Sequence, residues 1–227
     1  MDVTACVAAE VTRLSRARDR VLVGIDGPDA AGKSTLADRL AGSLPVPALR
    51  VSVDRFHLPQ EVRHRRGQLS AEGYYQDSFD YPALLTRCLV PFRSGAPQVQ
   101  TASYDYRADG RCRTDAEVPS RAILVVDGVF LLRPQLRDLW TLSVYLRVSP
   151  EETLHRAADR DLALFGSHDE IQRRYLERYL PGQALYRSET HPEETAHVVI
   201  GNEHPRKPVI ERWAIPGGHG DHHGMHR

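Results

Sequence analysis

One segment limits this chain more than any other. Gly27-Pro-Asp-Ala-Ala-Gly-Lys-Ser-Thr35 follows a short apolar run, Val21-Leu-Val-Gly-Ile25, and precedes a helix-forming stretch from Ser34 to Leu44. Glycines at these positions let the backbone curl so that successive N–H groups converge on one point. The first turn of the following helix adds the positive end of its dipole. A loop of this pattern in this context cradles the phosphates of a nucleoside triphosphate. Gly27, Asp29, Ala30, Ala31, Gly32, Lys33, Ser34 and Thr35 are therefore the expected nucleotide-binding residues. Lys33 is expected to reach the terminal phosphates, and the Ser34 hydroxyl to serve Mg2+.

The other apolar runs extend that unit. Leu49–Val53, Ala122–Val126, Leu142–Val148 and Ala196–Ile200 read as buried strands. Helical stretches separate them. Ser149-Pro-Glu-Glu152 starts one with a capping serine, an early proline and first-turn acids, and it runs to about Leu164. A second covers roughly 169–180, and another Tyr81–Phe92. The alternation predicts an α/β fold of the P-loop NTPase kind: a five-stranded parallel sheet flanked by helices, with a lid. Val3, Val7, Val11 and Leu14 predict a lead-in helix within residues 1–20. The nucleotide-binding domain is expected over 21–208. Polar, Arg-rich residues 57–80 read as an acceptor-site excursion across the active face. Val99–Tyr106 reads as a strand or ribbon closed by a turn at Asp109-Gly110. The Gly- and His-rich residues 209–227 are expected to be a disordered tail, with metal binding by its histidines as the alternative.

Composition narrows the partners. The 227 residues carry 30 basic and 30 acidic side chains. A zero net charge gives no field for nucleic acid or a membrane surface. No stretch reaches the about 20 apolar residues that span a bilayer. Cys6, Cys88 and Cys112 lack redox or metal spacing, and the N-terminus lacks a signal-peptide pattern. Three reduced thiols in a cytoplasmic protein are expected.

Two acids stand at strand ends. Asp127 closes the apolar run Ile123–Val126, where a carboxylate can act on Mg2+ directly or through water. It could instead cap the turn at Gly128. Asp54 ends the second strand, at the sheet edge that forms the ligand crevice. It could take a proton from an attacking hydroxyl, or simply cap a turn.

Together with Val51-Ser-Val-Asp-Arg-Phe-His57, Ser78-Phe-Asp-Tyr-Pro82, Tyr104-Asp-Tyr106 followed by Arg111, Val126-Asp-Gly-Val129 and Arg160-Asp161, the loop segment Gly24–Thr35 resembles the uridine kinase family. That family sits within the uridine kinase and phosphoribulokinase group, and the flavour is that of an actinomycete-like branch. The resemblance covers most of residues 20–205. It implies ATP as phosphate donor, Mg2+, and a small-molecule acceptor, a nucleoside such as uridine or cytidine phosphorylated at its 5′ position. It implies Asp54 as general base and metal neighbour, and Asp80 as holder of ribose hydroxyls. His57, Phe79, Tyr104 and Tyr106 would line the acceptor pocket, with Asp109 and Arg111 at its edge. Arg156 and Arg160 would meet phosphates from the lid, and Asn202 would lie near the adenine. The family often forms homo-oligomers. Tyr74, Tyr75, Phe79 and Tyr81 could equally be packing under the excursion.

Three departures bear on the acceptor. Arg107-Ala-Asp109 stands where the family has a pyrimidine-reading His. Arg55 replaces an Asp after Asp54. Leu162–Ser167 lacks further lid arginines, for which Arg173 and Arg174 are candidates. A kinase of pantothenate, a sugar phosphate, glycerate or a specialised metabolite therefore remains beside a nucleoside kinase. A nucleotide-switch ATPase is less favoured, since no Asn-Lys-x-Asp guanine reader is present.

Overall fold

The computed structural model describes residues 2–215. Its central sheet runs in the order β2-β5-β1-β6-β7-β8. The strands are β1 Arg20–Asp26, β2 Ala48–Ser52, β5 Ala122–Asp127, β6 Leu142–Arg147, β7 Val198–Gly201 and β8 Val209–Trp213, while β3 Gln98–Asp105 and β4 Gly110–Glu117 form a separate antiparallel ribbon. The first five central strands are parallel, as the apolar runs predict, and β8 adds an antiparallel edge to β7.

Strand periodicity divides the core into two layers. Val21, Val23 and Ile25 of β1, with Ile123 and Val125 of β5, face one side. There they meet Val3, Val7, Val11 and Leu14 of helix α1 (Val3–Ala17) and Leu36, Ala37 and Leu40 of helix α2 (Lys33–Ser43). Leu22, Leu124 and Val126 face the other side, into an aromatic layer with Phe56, Tyr74, Tyr75, Phe79, Tyr81 and Phe130. The packing role left open for these aromatics is thus real: each of them is buried.

Register sets up the site. Ile25 and Ser52 both pair with Asp127, so three strands end level with one another. Gly27, Gly128 and Asp54 leave the sheet from that shared edge.

Three elements differ from expectation. Residues 209–213 are strand β8, not tail: β7 would otherwise present an unpaired edge, and Ile210 and Ile215 pack on the core. Short length and flanking Pro205 and Pro208 hide this strand. The remainder of the expected tail, 216–227, lies outside the described residues. The lid helices end far past residue 180, since Leu180–Thr190 continues from a π-turn at Tyr175–Tyr179. The segment Tyr81–Arg93 likewise contains a π-turn, Leu85–Leu89. Both π-turns directly precede a proline region, Pro181 and Pro91, whose missing N–H and ring bulk disturb the α-helical ladder. All three cysteines are free. No helix among the described residues is long and apolar enough to cross a membrane.

Candidate active site

The phosphate loop has the backbone its glycines allow. Gly27 and Gly32 take φ of 149° and 91°, and Ala30 also sits at positive φ. A side chain at 27 would meet the Leu146 carbonyl oxygen at 2.6 Å. Lys33 Nζ donates to the Pro28 carbonyl at 2.6 Å. Beneath the loop, buried Asp26 accepts from Gly27 N at 2.6 Å, from Leu132 N at 3.1 Å and from the Tyr186 hydroxyl. Burial raises the Asp26 carboxyl to about 6, against these donors and Lys33. Asp26 was not singled out from sequence; an acid ending an apolar strand is its only signal.

Within the loop, Asp29 Oδ2 accepts from Tyr74 Oη at 2.7 Å and Gln183 Nε2 at 2.6 Å. The excursion and the post-lid helix therefore both dock on the loop through one carboxylate. Behind the loop, Asn202 Nδ2 donates to the Ala31 carbonyl at 2.8 Å.

Asp127 does not cap the turn at Gly128. Its Oδ2 accepts from Ser34 Oγ at 2.6 Å and its Oδ1 from Arg50 Nη2 at 3.0 Å. Gly128 then permits a tight junction: a Cβ there would lie 2.1 Å from Val53 Cγ1. Val53 opens the 3₁₀ turn Val53–Phe56 that carries Asp54, so this approach fixes the distance between the two acid-bearing strand ends.

Ser52 Oγ accepts from Asp54 N at 3.3 Å, and the Asp54 carbonyl meets His57 Nδ1 at 2.8 Å. Asp54 faces open space, yet surrounding protein crowds its carboxyl and raises its pKa. His57 and Lys33 pull it down, while the charges of Asp29 and Asp127 push it further up. Desolvation holds His57 below its ordinary value, towards the neutral imidazole. Lys33, Asp29 and Asp127 thus lie near enough for their charges to act on Asp54.

His57 bridges to Phe79 in β fashion, with ring centroids 4.6 Å apart, and lies 4.9 Å from Tyr106. These three expected acceptor residues come together as one packed aromatic cluster, tied to Asp54 through the His57 contact to its carbonyl. The others are partly committed elsewhere. Asp80 accepts from Ala83 N at 2.9 Å and caps the next helix. Asp109 accepts from Tyr104 Oη at 2.6 Å and from Arg63 Nη2 at 2.9 Å. Arg63 also lies over Tyr106, 5.0 Å from its centroid. Arg111 stands opposite Tyr104 on the ribbon, exposed. A cleft of about 570 Å3 runs along this side, lined by Pro59, Gln60, Glu61, His64, Tyr104 and Asp109.

The lid arginines are held more tightly than free lid residues would be. Arg156 donates to Glu152 Oε1 at 2.7 Å and to the carbonyls of Ala30, Asn202 and Glu203 at 3.4, 2.7 and 2.9 Å. It braces the loop from behind, a contact across 126 positions that spacing cannot reveal. Arg160 pairs with Asp161 and donates to Tyr175 Oη at 3.0 Å. Arg173 and Arg174 both bind Glu170.

The Phosphoribulokinase / Uridine kinase family matches residues 22–185. The chain belongs to that family. Inorganic pyrophosphatase TTM1 of Arabidopsis thaliana is 29% identical over 81% of this chain, which spans only 27% of that protein. Pantothenate kinase of Cutibacterium acnes is 31% identical, over 68% of this chain and 52% of that one. Uridine kinase of Clostridium novyi is 24% identical, over 84% of this chain and 91% of that one. In three dimensions, a possible uridine kinase from Bacillus stearothermophilus superposes with a TM-score of 0.66 at 21% identity, covering 85% of this chain and 98% of that one. This last likeness concerns the fold.

Proposed function

We propose that this protein is a small-molecule kinase that moves the γ-phosphoryl group of ATP to the primary hydroxyl of a nucleoside such as uridine or cytidine. One observation carries this reading: Asp54 feels the charges of Lys33, Asp29 and Asp127 at the phosphate-binding side and is tied through its carbonyl to His57 of the His57, Phe79 and Tyr106 cluster. A flat base can stack on the partly exposed rings of His57 and Tyr106, leaving its 5′ hydroxyl beside the carboxylate. Family membership and the uridine kinase relative support it.

In the proposed reaction, residues 27–35 hold the ATP phosphates through backbone N–H groups and Lys33. The acceptor oxygen forms its bond to the γ-phosphorus as the bond to ADP breaks, and its proton passes to Asp54. Ser34 Oγ, with Asp127 acting directly or through water, offers hard oxygen that suits Mg2+, which needs few protein ligands besides the phosphates. Bound there, Mg2+ would neutralise phosphate charge. Among the described residues no cluster of three or more His, Cys, Asp or Glu forms a separate metal cage. Arg156 keeps the loop in shape, and Arg160 would supply positive charge only on leaving its pairing with Asp161. Closure of the lid over the crevice would exclude water. Three free thiols fit work in the reducing cytoplasm.

A second acceptor class is favoured by the cations near His57. Arg63 and Arg178 are both buried; Arg63 pairs with Asp109 through Nη2 while its Nε has no partner among the described residues, and Arg178 donates to the carbonyls of Gln68 and Ser70. An acceptor with an acidic group, such as pantothenate or glycerate, would complement them. ADP release should be measured with ATP and Mg2+ alone, then with uridine, cytidine, pantothenate, glycerate and sugars. Stimulation by uridine or cytidine is expected. Stimulation by pantothenate or glycerate alone would favour the acidic class, and hydrolysis that no acceptor raises would remove acceptor transfer altogether.

A further inference from the structure

One part-buried ion pair beside the phosphate loop has no role in the proposed transfer. Asp127, whose side chain is 3% exposed, is shared between Ser34 and Arg50. Arg50 comes from β2, next to β5, and pairs in register with Val125, two positions before Asp127. Its guanidinium is anchored at three nitrogens: Nη2 on Asp127 Oδ1 at 3.0 Å, Nη1 on the Val125 carbonyl at 3.1 Å, and Nε on Asp38 Oδ1 at 2.9 Å. A forked, permanently charged group held at three points is a fixed part of the site.

This has two consequences for a cation at Ser34. The hydrogen bond from Ser34 to Asp127 leaves the serine lone pairs free for a metal, so that contact is compatible with Mg2+. The Arg50 contact is different in kind. It covers the second carboxylate oxygen and cancels most of the charge that would attract a bare divalent ion. A nucleotide brings its own phosphate oxygens and restores the negative charge.

We propose that Arg50 is a positioning residue that keeps Asp127 out of direct metal coordination and makes cation retention depend on bound nucleotide. The inference rests on the assignment of Ser34 and Asp127 to Mg2+. Its design is economical: a metal held only with nucleotide leaves with product, whereas an unscreened carboxylate would keep it.

The test uses Mn2+ as the probe, with free and bound ion distinguished by electron paramagnetic resonance. Wild-type protein is titrated with Mn2+ with and without ADP, beside Arg50→Gln and Arg50→Met. Methionine keeps the apolar stem packed, so at least one variant should retain the fold, checked by its melting curve. Wild type is expected to bind Mn2+ strongly only with ADP. Both variants should bind Mn2+ without nucleotide at least about tenfold more tightly than wild type, since a full unit of charge is uncovered beside the site. Arg50→Lys, which keeps the charge, should stay closer to wild type than either. Nucleotide-free Mn2+ binding within about twofold of wild type in a folded Gln or Met variant overturns the role of Arg50 alone. Absence of Mn2+·ADP binding in the wild type overturns the metal assignment of Ser34 and Asp127 as well.

Discussion

Replacing Asp54 by Asn isolates the chemical step from binding and folding. The local hydrogen bonds of residue 54 use its backbone: its N–H donates to Ser52 Oγ and its carbonyl meets His57 Nδ1. Asparagine keeps both, and the side chain faces open space, so the melting temperature should stay within about 2 °C, as for a surface change of under 0.5 kcal/mol. ATP binding should be retained, because the change removes a negative charge from a crevice that already holds Asp29 and Asp127. Turnover should not be retained. General-base assistance contributes about 10²–10⁴-fold, or roughly 3–5 kcal/mol of barrier. A loose phosphoryl-transfer transition state leaves the proton late, which favours the lower part of that range. The assay is ADP release with the stimulating acceptor, alongside calorimetric ATP binding and a pH profile. Wild-type activity should fall as pH drops through a pKa above the ordinary aspartate value, because the base must be ionised and its pKa is raised. The variant should lose that acid limb together with at least about 100-fold in kcat. Turnover within about threefold of wild type, with ATP binding unchanged, would refute the base assignment.

Three further outcomes follow from other contacts. Lys33→Ala should lower kcat by at least about 100-fold while leaving circular dichroism and melting unchanged, since its contact to Pro28 is local. Gly128→Val should cost about 1–3 kcal/mol by overpacking Val53 and should also reduce kcat. Adding Val53→Ala should recover part of both losses, and strictly additive effects would argue against this contact as the cause. Asp26, raised from 3.8 to about 6, holds its proton more tightly folded than unfolded. Its stabilising contribution is therefore complete below about 3.8 and lost as pH climbs through about 6, by up to about 3 kcal/mol. Relative to Asp26→Asn, the wild type should lose stability in urea between pH 4 and pH 7, and a flat difference would refute the shift.

The aromatic residues show where sequence reading reaches its limit. Tyr74, Tyr75, Phe79 and Tyr81 have the same composition signal, whether they pack or bind. In three dimensions the rings of Tyr74, Tyr75 and Phe79 all lie in the core, but Tyr74 docks on Asp29, Tyr75 on Glu189, and Phe79 packs on His57. The lid arginines make the same point. Arg156 and Arg160 lie four positions apart on one helix. Yet one braces the phosphate loop and the other pairs with its neighbouring acid.

Local pattern alone was enough to read the phosphate loop, the five parallel strands, most of the helices around them and the place of Asp54 and Asp127 at strand ends. All are written in local patterns: glycine spacing, apolar runs, caps and strand ends. Only the tertiary structure decided the rest. Arg50 on Asp127, Tyr186 on Asp26, Gln183 on Asp29 and Arg156 on Ala30 join residues 77 to 160 positions apart. The edge strand β8 exists because β7 offers it a partner. Such pairings depend on which strands lie side by side and which helices cross their ends, and no periodicity along the chain encodes that.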